Sequence, residues 1–165
     1  MIKFTKTEYN NIKELADLAC EIWFEYWPLI LSEKQISYMV KKFQSENAIK
    51  YQINNENYSY YFILIDDKKV GYFGLSVHED YLFLSKLYIK KDYRHKGIGK
   101  KAFNRIKEIA QEYGLNKVRL TVNKYNTDTI NAYKKWGLKE IDSTVTDIGE
   151  GFVMDDYIME YQIIS

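Results

Sequence analysis

The sequence predicts a single α/β domain, residues 1–165, on a mixed and mostly antiparallel sheet of about seven strands with four to five helices. Three observations carry that expectation. From Tyr58 the chain turns apolar and β-rich. "YSYYFILID", "VGYFGLSV" and "YLFLSKLYIK" are punctuated by the turns "DDKK" and "HED", the pattern of an antiparallel meander. Gly97 to Tyr113 reads as a long amphipathic helix, and the alternating strand Asn116 to Asn123 follows it. Strand, helix and strand make a βαβ unit with parallel strands and a right-handed crossover. "LKEIDSTVTD" and "FVMDDYIMEYQII", joined across "IGEG", read as a closing hairpin.

The remaining elements follow in order. Ile2 to Thr5 is a short strand. Ile12, Leu15, Ala19, Ile22, Trp23 and Tyr26 recur at helical spacing, and Pro28, the one proline, closes that helix. Ser32, Glu33 and Gln35 begin a second helix, with Ile36, Met39, Val40 and Phe43 on one face; "SENAIKYQINNEN" gives a third, short one. In the long helix, Ile98, Ala102, Ile106, Ile109, Ala110 and Tyr113 form the apolar stripe. Lys100, Lys101, Arg105, Lys107, Glu108 and Glu112 take the other side, and Gly114 is the stop. Asn126 is placed to cap a helix from Thr127 to Trp136 that turns Ile130, Tyr133 and Trp136 to the core, and Gly137 ends it. No repeat, low-complexity tract or linker marks a boundary.

Composition narrows the function. Apolar residues make up 46% of the chain and aromatics 16%, which excludes disorder. The net charge of +1 argues against a dedicated nucleic-acid binder, which carries a basic excess over the whole domain. Cys20, His78 and His95 offer no metal-ligand spacing, so no metal is expected; Cys20 reads as a buried bystander thiol. No apolar run approaches a membrane span, and "MIKFTKTEYN" has no signal-peptide core, so a cytoplasmic protein is expected.

Positive charge is nonetheless concentrated in "LYIKKDYRHKGIGKK", Leu87 to Lys101. Arg94-His95-Lys96-Gly97-Ile98-Gly99 lies between a strand and a helix start. Glycines there permit a tight turn and close backbone approach, and a helix N-terminus presents unpaired N–H groups to an anion. Arg94, Lys96 and Lys100 would add charge for further phosphates. A P-loop string is absent. The dinucleotide fingerprint is met only loosely, with Ala102 at its third small position and no acidic residue ending the next strand. A solvated basic helix start with structural glycines is the plainer alternative.

What remains, R-x-x-G-x-G after the fourth strand, resembles the acetyl-CoA signature of the GNAT superfamily of N-acetyltransferases. A second segment, Asn126-x-x-Thr129-x-x-x-Tyr133-x-x-x-Gly137-Leu138, is similar to that family's N-x-x-A-x-x-x-Y-x-x-x-G-F, with Thr129 and Leu138 as departures at packing positions. The specific likeness covers roughly Leu82 to Leu138, and the element order agrees over the whole chain.

The resemblance implies a central parallel pair that splays, with acetyl-CoA in the gap. The pantetheine would pair with backbone near Leu87, Tyr88 and Ile89, and the pyrophosphate would rest on the N–H groups of His95, Lys96, Gly97, Ile98, Gly99 and Lys100. A strand-four N–H would hold the oxyanion. Asn126 would bond the cofactor arm, and Tyr133 would protonate the departing thiolate after direct attack by an amine. A phenol of pKa ~10 suits a thiolate of similar basicity. From periodicity alone, Tyr133 reads equally as a core tyrosine beside Ile130 and Trp136.

The acceptor is less determined. "EIWFEYW" mixes acids and aromatics at the end of the first helix, so Trp23, Glu25, Tyr26 and Trp27 are candidates for a cationic amine, with a core role as the alternative for Trp23 and Tyr26. "MDDY" adds Asp155, although only one of Asp155 and Asp156 can face inward on a strand. The resemblance leans toward polyamine acetyltransferases and a substrate such as spermidine; peptides, lysines, aminoglycosides and amino acids stay open. Strand four carries Ser85 and Lys86 where many relatives place a glutamate base. Glu21, Glu25, Glu79, Asp155 and Asp156 are the other candidates, with relayed water as the alternative. That missing carboxylate also leaves open a non-catalytic acyl-CoA sensor. The resemblance is compatible with a homodimer through the last strands.

Overall fold

The computed structural model describes residues 1–164. In chain order the elements are β1 (Ile2–Lys6), α1 (Ile12–Tyr26), α2 (Glu33–Met39), α3 (Glu46–Asn55), β2 (Tyr58–Ile65), β3 (Lys68–Val77), β4 (Leu82–Ile89), α4 (Ile98–Glu112), β5 (Lys117–Asn123), α5 (Thr127–Lys135), β6 (Lys139–Gly149) and β7 (Phe152–Gln162). The strands make one seven-stranded sheet in the order β1-β2-β3-β4-β5-β7-β6. β4 and β5 are parallel; β1/β2, β2/β3, β5/β7 and β6/β7 are antiparallel. The expected α/β architecture is therefore present. Packing groups the described residues into two compact units, residues 1–77 with 85–103, and residues 78–84 with 104–164.

In the first unit α1 buries Ile12, Leu15, Ala19 and Ile22, the i, i+3, i+7, i+10 face, with Ile49 of α3 and Tyr60, Phe62 and Tyr72 of the sheet. Each large aliphatic in that set contributes about 1.5–3 kcal/mol through burial. Cys20 is exposed, which corrects the buried thiol expected for it. It follows Lys13 and Asp17 around the solvent face of α1. The Ser32 and Ser45 hydroxyls cap α2 and α3, accepting from Gln35 N at 3.1 Å and Ala48 N at 3.2 Å.

The second helix does not stay α-helical through Phe43 as its period suggests. Val40–Gln44 is a π-helical turn, and the wider turn brings Gln44 inside at 1% exposure. Its Oε1 accepts from the Tyr72 hydroxyl at 2.9 Å, and that hydroxyl accepts from Trp23 Nε1 at 2.9 Å.

The second unit buries Ile106, Ile109 and Ala110 of α4, Val118 and Leu120 of β5, and Met159 of β7. Tyr113, expected on the apolar stripe, is half exposed, because the chain turns at Gly114 (φ 73°) directly after it. Arg119 of β5 places Nε and Nη2 on one oxygen of Glu160 across β7, at 2.9 and 2.8 Å, with its guanidinium 4.1 Å from the Tyr81 ring. No helix among the described residues is long and apolar enough to cross a membrane.

Candidate active site

The basic segment closes β4 and opens α4 in the first unit. Gly97 O accepts from Lys101 N at 3.2 Å, so Gly97 is the cap residue, and the N–H groups of the first turn have no partner inside the helix. His95 and Gly97 both take left-handed backbone angles, φ 61° and 78°. A side-chain carbon built on Gly97 meets nothing within 4 Å. Lys96 and Lys100 are exposed, and Lys96 lies over the Tyr93 ring at 5.7 Å. Ile98 is buried, which anchors the turn on the core. Open space over a glycine, two residues in left-handed conformation and an unshared helix start together fit a pyrophosphate.

Arg94 is placed differently from the expectation that its charge faces phosphate. Its Nε donates to Ile89 O at 2.8 Å, Nη2 lies 3.5 Å from Glu25 Oε1, and the guanidinium sits 4.7 Å from the Tyr26 ring. The same Glu25 oxygen accepts from Lys91 N at 2.6 Å. Glu25, Tyr26 and Arg94 therefore hold the loop in shape. Lys90 Nζ reaches Glu21 at 3.5 Å, whereas Lys91 is held through its backbone N–H and its side chain is exposed.

The aromatic candidates are packed rather than open. Trp23 is 4% exposed, and its indole N–H is spent on Tyr72, which makes it a core residue and corrects its placement in an acceptor pocket. Trp27, 5% exposed, packs against Trp23, Tyr26 and Tyr88 with ring centroids 4.9–6.3 Å apart, and its Nε1 is buried without a partner.

On β4, Leu87, Tyr88 and Ile89 follow the parallel stretch. Pairing with β5 covers Leu82–Leu84 against Val118–Leu120. Gly71 of β3 lets the β4 backbone come close, since a side chain there would meet Tyr88 O at 2.5 Å. Lys86, between these stretches, is 6% exposed. Its Nζ donates to Phe43 O at 2.7 Å, to Gln52 Oε1 at 3.2 Å and to the Tyr60 hydroxyl. No carboxylate joins the set, and burial pushes the ammonium down to about 7. No local motif in the sequence marks this network. Its one sequence signal is the lysine's parity with Leu82 and Leu84 in "LFLSK".

The second unit carries the rest. Asn126 is buried and stands at the start of α5, yet its side chain does not cap the helix, contrary to the simple capping expectation. Its N–H donates to Asn123 O at 3.0 Å, fixing the turn out of β5. Tyr133 is 8% exposed and packs edge-on to Trp136, centroids 5.3 Å apart. Of the acidic pair on β7, Asp155 lies against Lys124, Oδ1 to Nζ 2.7 Å, a charge contact rather than an aligned hydrogen bond. Asp156 is the inward one, 5% exposed. Among the described residues no group of three or more His, Cys, Asp or Glu is arranged to hold a metal ion.

Residues 12–138 match the model of the acetyltransferase (GNAT) family. The chain is 28% identical over 158 residues to a spermidine N(1)-acetyltransferase of Thermoplasma acidophilum, covering 93% of this chain and 96% of that one. Among solved structures it resembles the PaiA N-acetyltransferase of Thermoplasma acidophilum in complex with coenzyme A, with a TM-score of 0.82, 25% identity and coverage of 98% and 99%. A GNAT family acetyltransferase of Elizabethkingia anophelis with acetyl-CoA bound shares the fold at 11% identity, TM-score 0.66, over 98% of each chain.

Proposed function

Because the chain belongs to the acetyltransferase (GNAT) family, whose members are acetyl-CoA-dependent N-acetyltransferases, we propose that it acetylates a primary amine of a small polyamine by direct attack. The observation that supports the cofactor is the open, left-handed turn at His95 to Gly97 on the start of α4. The acceptor rests on likeness along nearly the whole chain to a spermidine N(1)-acetyltransferase.

Acetyl-CoA supplies a thioester carbonyl. The backbone N–H groups from His95 to Lys100 hold the pyrophosphate, with Lys96 and Lys100 adding charge from the rim. Arg94 works through the loop: tied to Ile89 O and Glu25, it keeps the turn from collapsing when no anion is present. Backbone of Leu87 to Ile89 pairs with the pantetheine amides, and one N–H of this strand faces the oxyanion. Asn126 orients the cofactor arm. Tyr133 gives its phenolic proton to the sulfur as the C–S bond breaks.

Calorimetry with coenzyme A and acetyl-CoA tests the cofactor reading, and release of free thiol with spermidine, spermine, lysine, peptides and aminoglycosides tests transfer. The expected result is micromolar-range binding with turnover highest for a polyamine. Absence of binding by either compound rejects the acetyltransferase reading. Binding without thiol release for any amine supports an acyl-CoA sensor in its place.

A further inference from the structure

A substrate ammonium cannot attack until it loses a proton, and β4 offers Lys86 instead of a carboxylate. The other acids of the chain divide clearly. Glu21 pairs with Lys90, Glu25 holds Lys91 N and Arg94, Glu79 is exposed on a turn, and Asp155 lies on Lys124. Asp156 alone is buried, and among the described residues its carboxylate has neither an ion pair nor a hydrogen-bond donor.

We propose that Asp156 is the proton acceptor for the substrate amine, poised on β7 beside the C-terminal end of β5. Asp156 stands opposite Asn123, the last residue of β5, three residues beyond Leu120, which pairs with Leu84 of β4. From Asn123 the chain passes directly to Asn126 and then to α5 with Tyr133. One connection therefore follows the strand end beside Asp156 and leads to the proton donor. Across β6 the opposing residue is Thr144, which carries no charge. The charged groups acting on Asp156 within this unit are Asp155, which disfavours its ionisation, and Lys124, which favours it but is already engaged by Asp155. Burial is the larger influence and lifts the carboxyl to about 6. A carboxylate that is ionised at neutral pH yet readily holds a proton matches the requirement for a general base.

This assignment rests on the acetyltransferase reading above. The substrate ammonium passes one proton to Asp156, and the neutral nitrogen attacks the thioester carbon. The C–N bond forms, the C–S bond breaks, and the sulfur receives the Tyr133 proton. The nitrogen loses its second proton to water. Asp156 then releases its proton and Tyr133 regains one from solvent. The balance is one amide, one thiol and one proton released.

The test is D156N, close in shape, assayed with spermidine beside the wild type across pH 6 to 10, with coenzyme A affinity measured by calorimetry. The expected result is unchanged affinity and a kcat about 100-fold lower at neutral pH, with the deficit shrinking toward pH 10 as the amine deprotonates unaided. Activity within twofold of wild type at neutral pH overturns the assignment. A raised KM with unchanged kcat also overturns it, because Asp156 is then an anchor for the ammonium and not its base. If D156N does not fold, D156E and the wild-type profile decide. Loss of kcat/KM in the wild type as pH falls through about 6, retained in D156E with a shifted midpoint, supports the base, and a profile flat through that region rejects it. No thiol release by wild type with any amine removes the acetyltransferase reading itself; an active wild type with an equally active D156N removes only this inference.

Discussion

Lys86 Nζ donates to the main-chain carbonyl of Phe43 at 2.7 Å, so a strand lysine closes a π-helical turn that follows α2. The turn and the lysine explain each other. A wider turn frees a carbonyl from the helical ladder, and a buried ammonium needs acceptors. Gln52 completes the set by donating Nε2 to the same carbonyl at 3.1 Å and accepting from Lys86 through Oε1.

The arrangement has a pH signature. Burial lowers Lys86 from 10.5 to about 7 in the folded chain. Between about 7 and 10.5 the unfolded chain therefore binds a proton that the folded chain has given up. Stability rises with pH wherever the unfolded state binds more protons, with a limit of about 1.4 kcal/mol per pH unit for one group. The cost of burying the charge is fully present below about 7 and is relieved as pH climbs. Urea unfolding from about pH 7.5 to 9.5 is expected to show increasing stability. Tyr58, Tyr60 and Tyr72, all raised by burial, turn the trend downward only above about 10. A flat or falling stability across the window would show Lys86 to be charged in the fold.

Two substitutions separate the charge from its scaffold. In K86M the Phe43 carbonyl keeps Gln52 Nε2, and Gln52 Oε1 keeps the Tyr60 hydroxyl, so no acceptor is orphaned. K86M is expected to be neutral or more stable by about 1–3 kcal/mol at pH 7, and to lose the pH slope. Q52L removes an acceptor from the ammonium and a donor from Phe43 O, with an expected cost of about 2–4 kcal/mol. Equilibrium unfolding of both variants checks the opposite signs, and two losses of equal size would contradict this account.

Tyr72 joins α1 to the same turn through one hydroxyl, accepting from Trp23 Nε1 and donating to Gln44 Oε1, both at 2.9 Å. All three residues are buried, so Y72F leaves a donor and an acceptor without partners. A loss of about 2–3 kcal/mol is expected by chemical denaturation, at nearly unchanged volume. A change below about 0.5 kcal/mol would mean that the two groups find other partners on relaxation.

What the sequence disclosed and what it hid follow the range of the forces involved. The α1 face, the meander and the βαβ unit are periodic, and their burial follows from that period. The helix start at Gly97 was readable because glycine has a local backbone reason to stand there, whereas Asn126 marks the start of α5 without making the cap that its type suggests. The acidic pair was narrowed to one inward residue by strand alternation, but choosing Asp156 needed the register with Asn123. Lys86, Gln44 and Gln52 could not be read as a set. Their partners are 8 to 43 residues away, and the turn that assembles them is a departure from the helical period. In the sequence Glu25 and Arg94 look like ligand-facing charges because the contact that joins them spans 69 residues.

Gly97 allows backbone strain and ligand contact to be measured apart. Its φ of 78° penalises any side chain by roughly 1–2 kcal/mol. Since a methyl group there meets no protein atom within 4 Å, that strain is the whole cost to the free protein. G97A is therefore expected to fold, with unfolding free energy lowered by about 1–2 kcal/mol. Under the proposed function the same methyl points into the space of the pyrophosphate, so coenzyme A affinity should fall well beyond that strain, by about 100-fold or more, by calorimetry. G114A is the control. Gly114 has φ 73° and equally open space, but lies at the opposite end of α4, far along the helix from the basic turn. It should lose comparable stability and keep its affinity. Equal affinities for G97A and G114A would place the phosphates elsewhere.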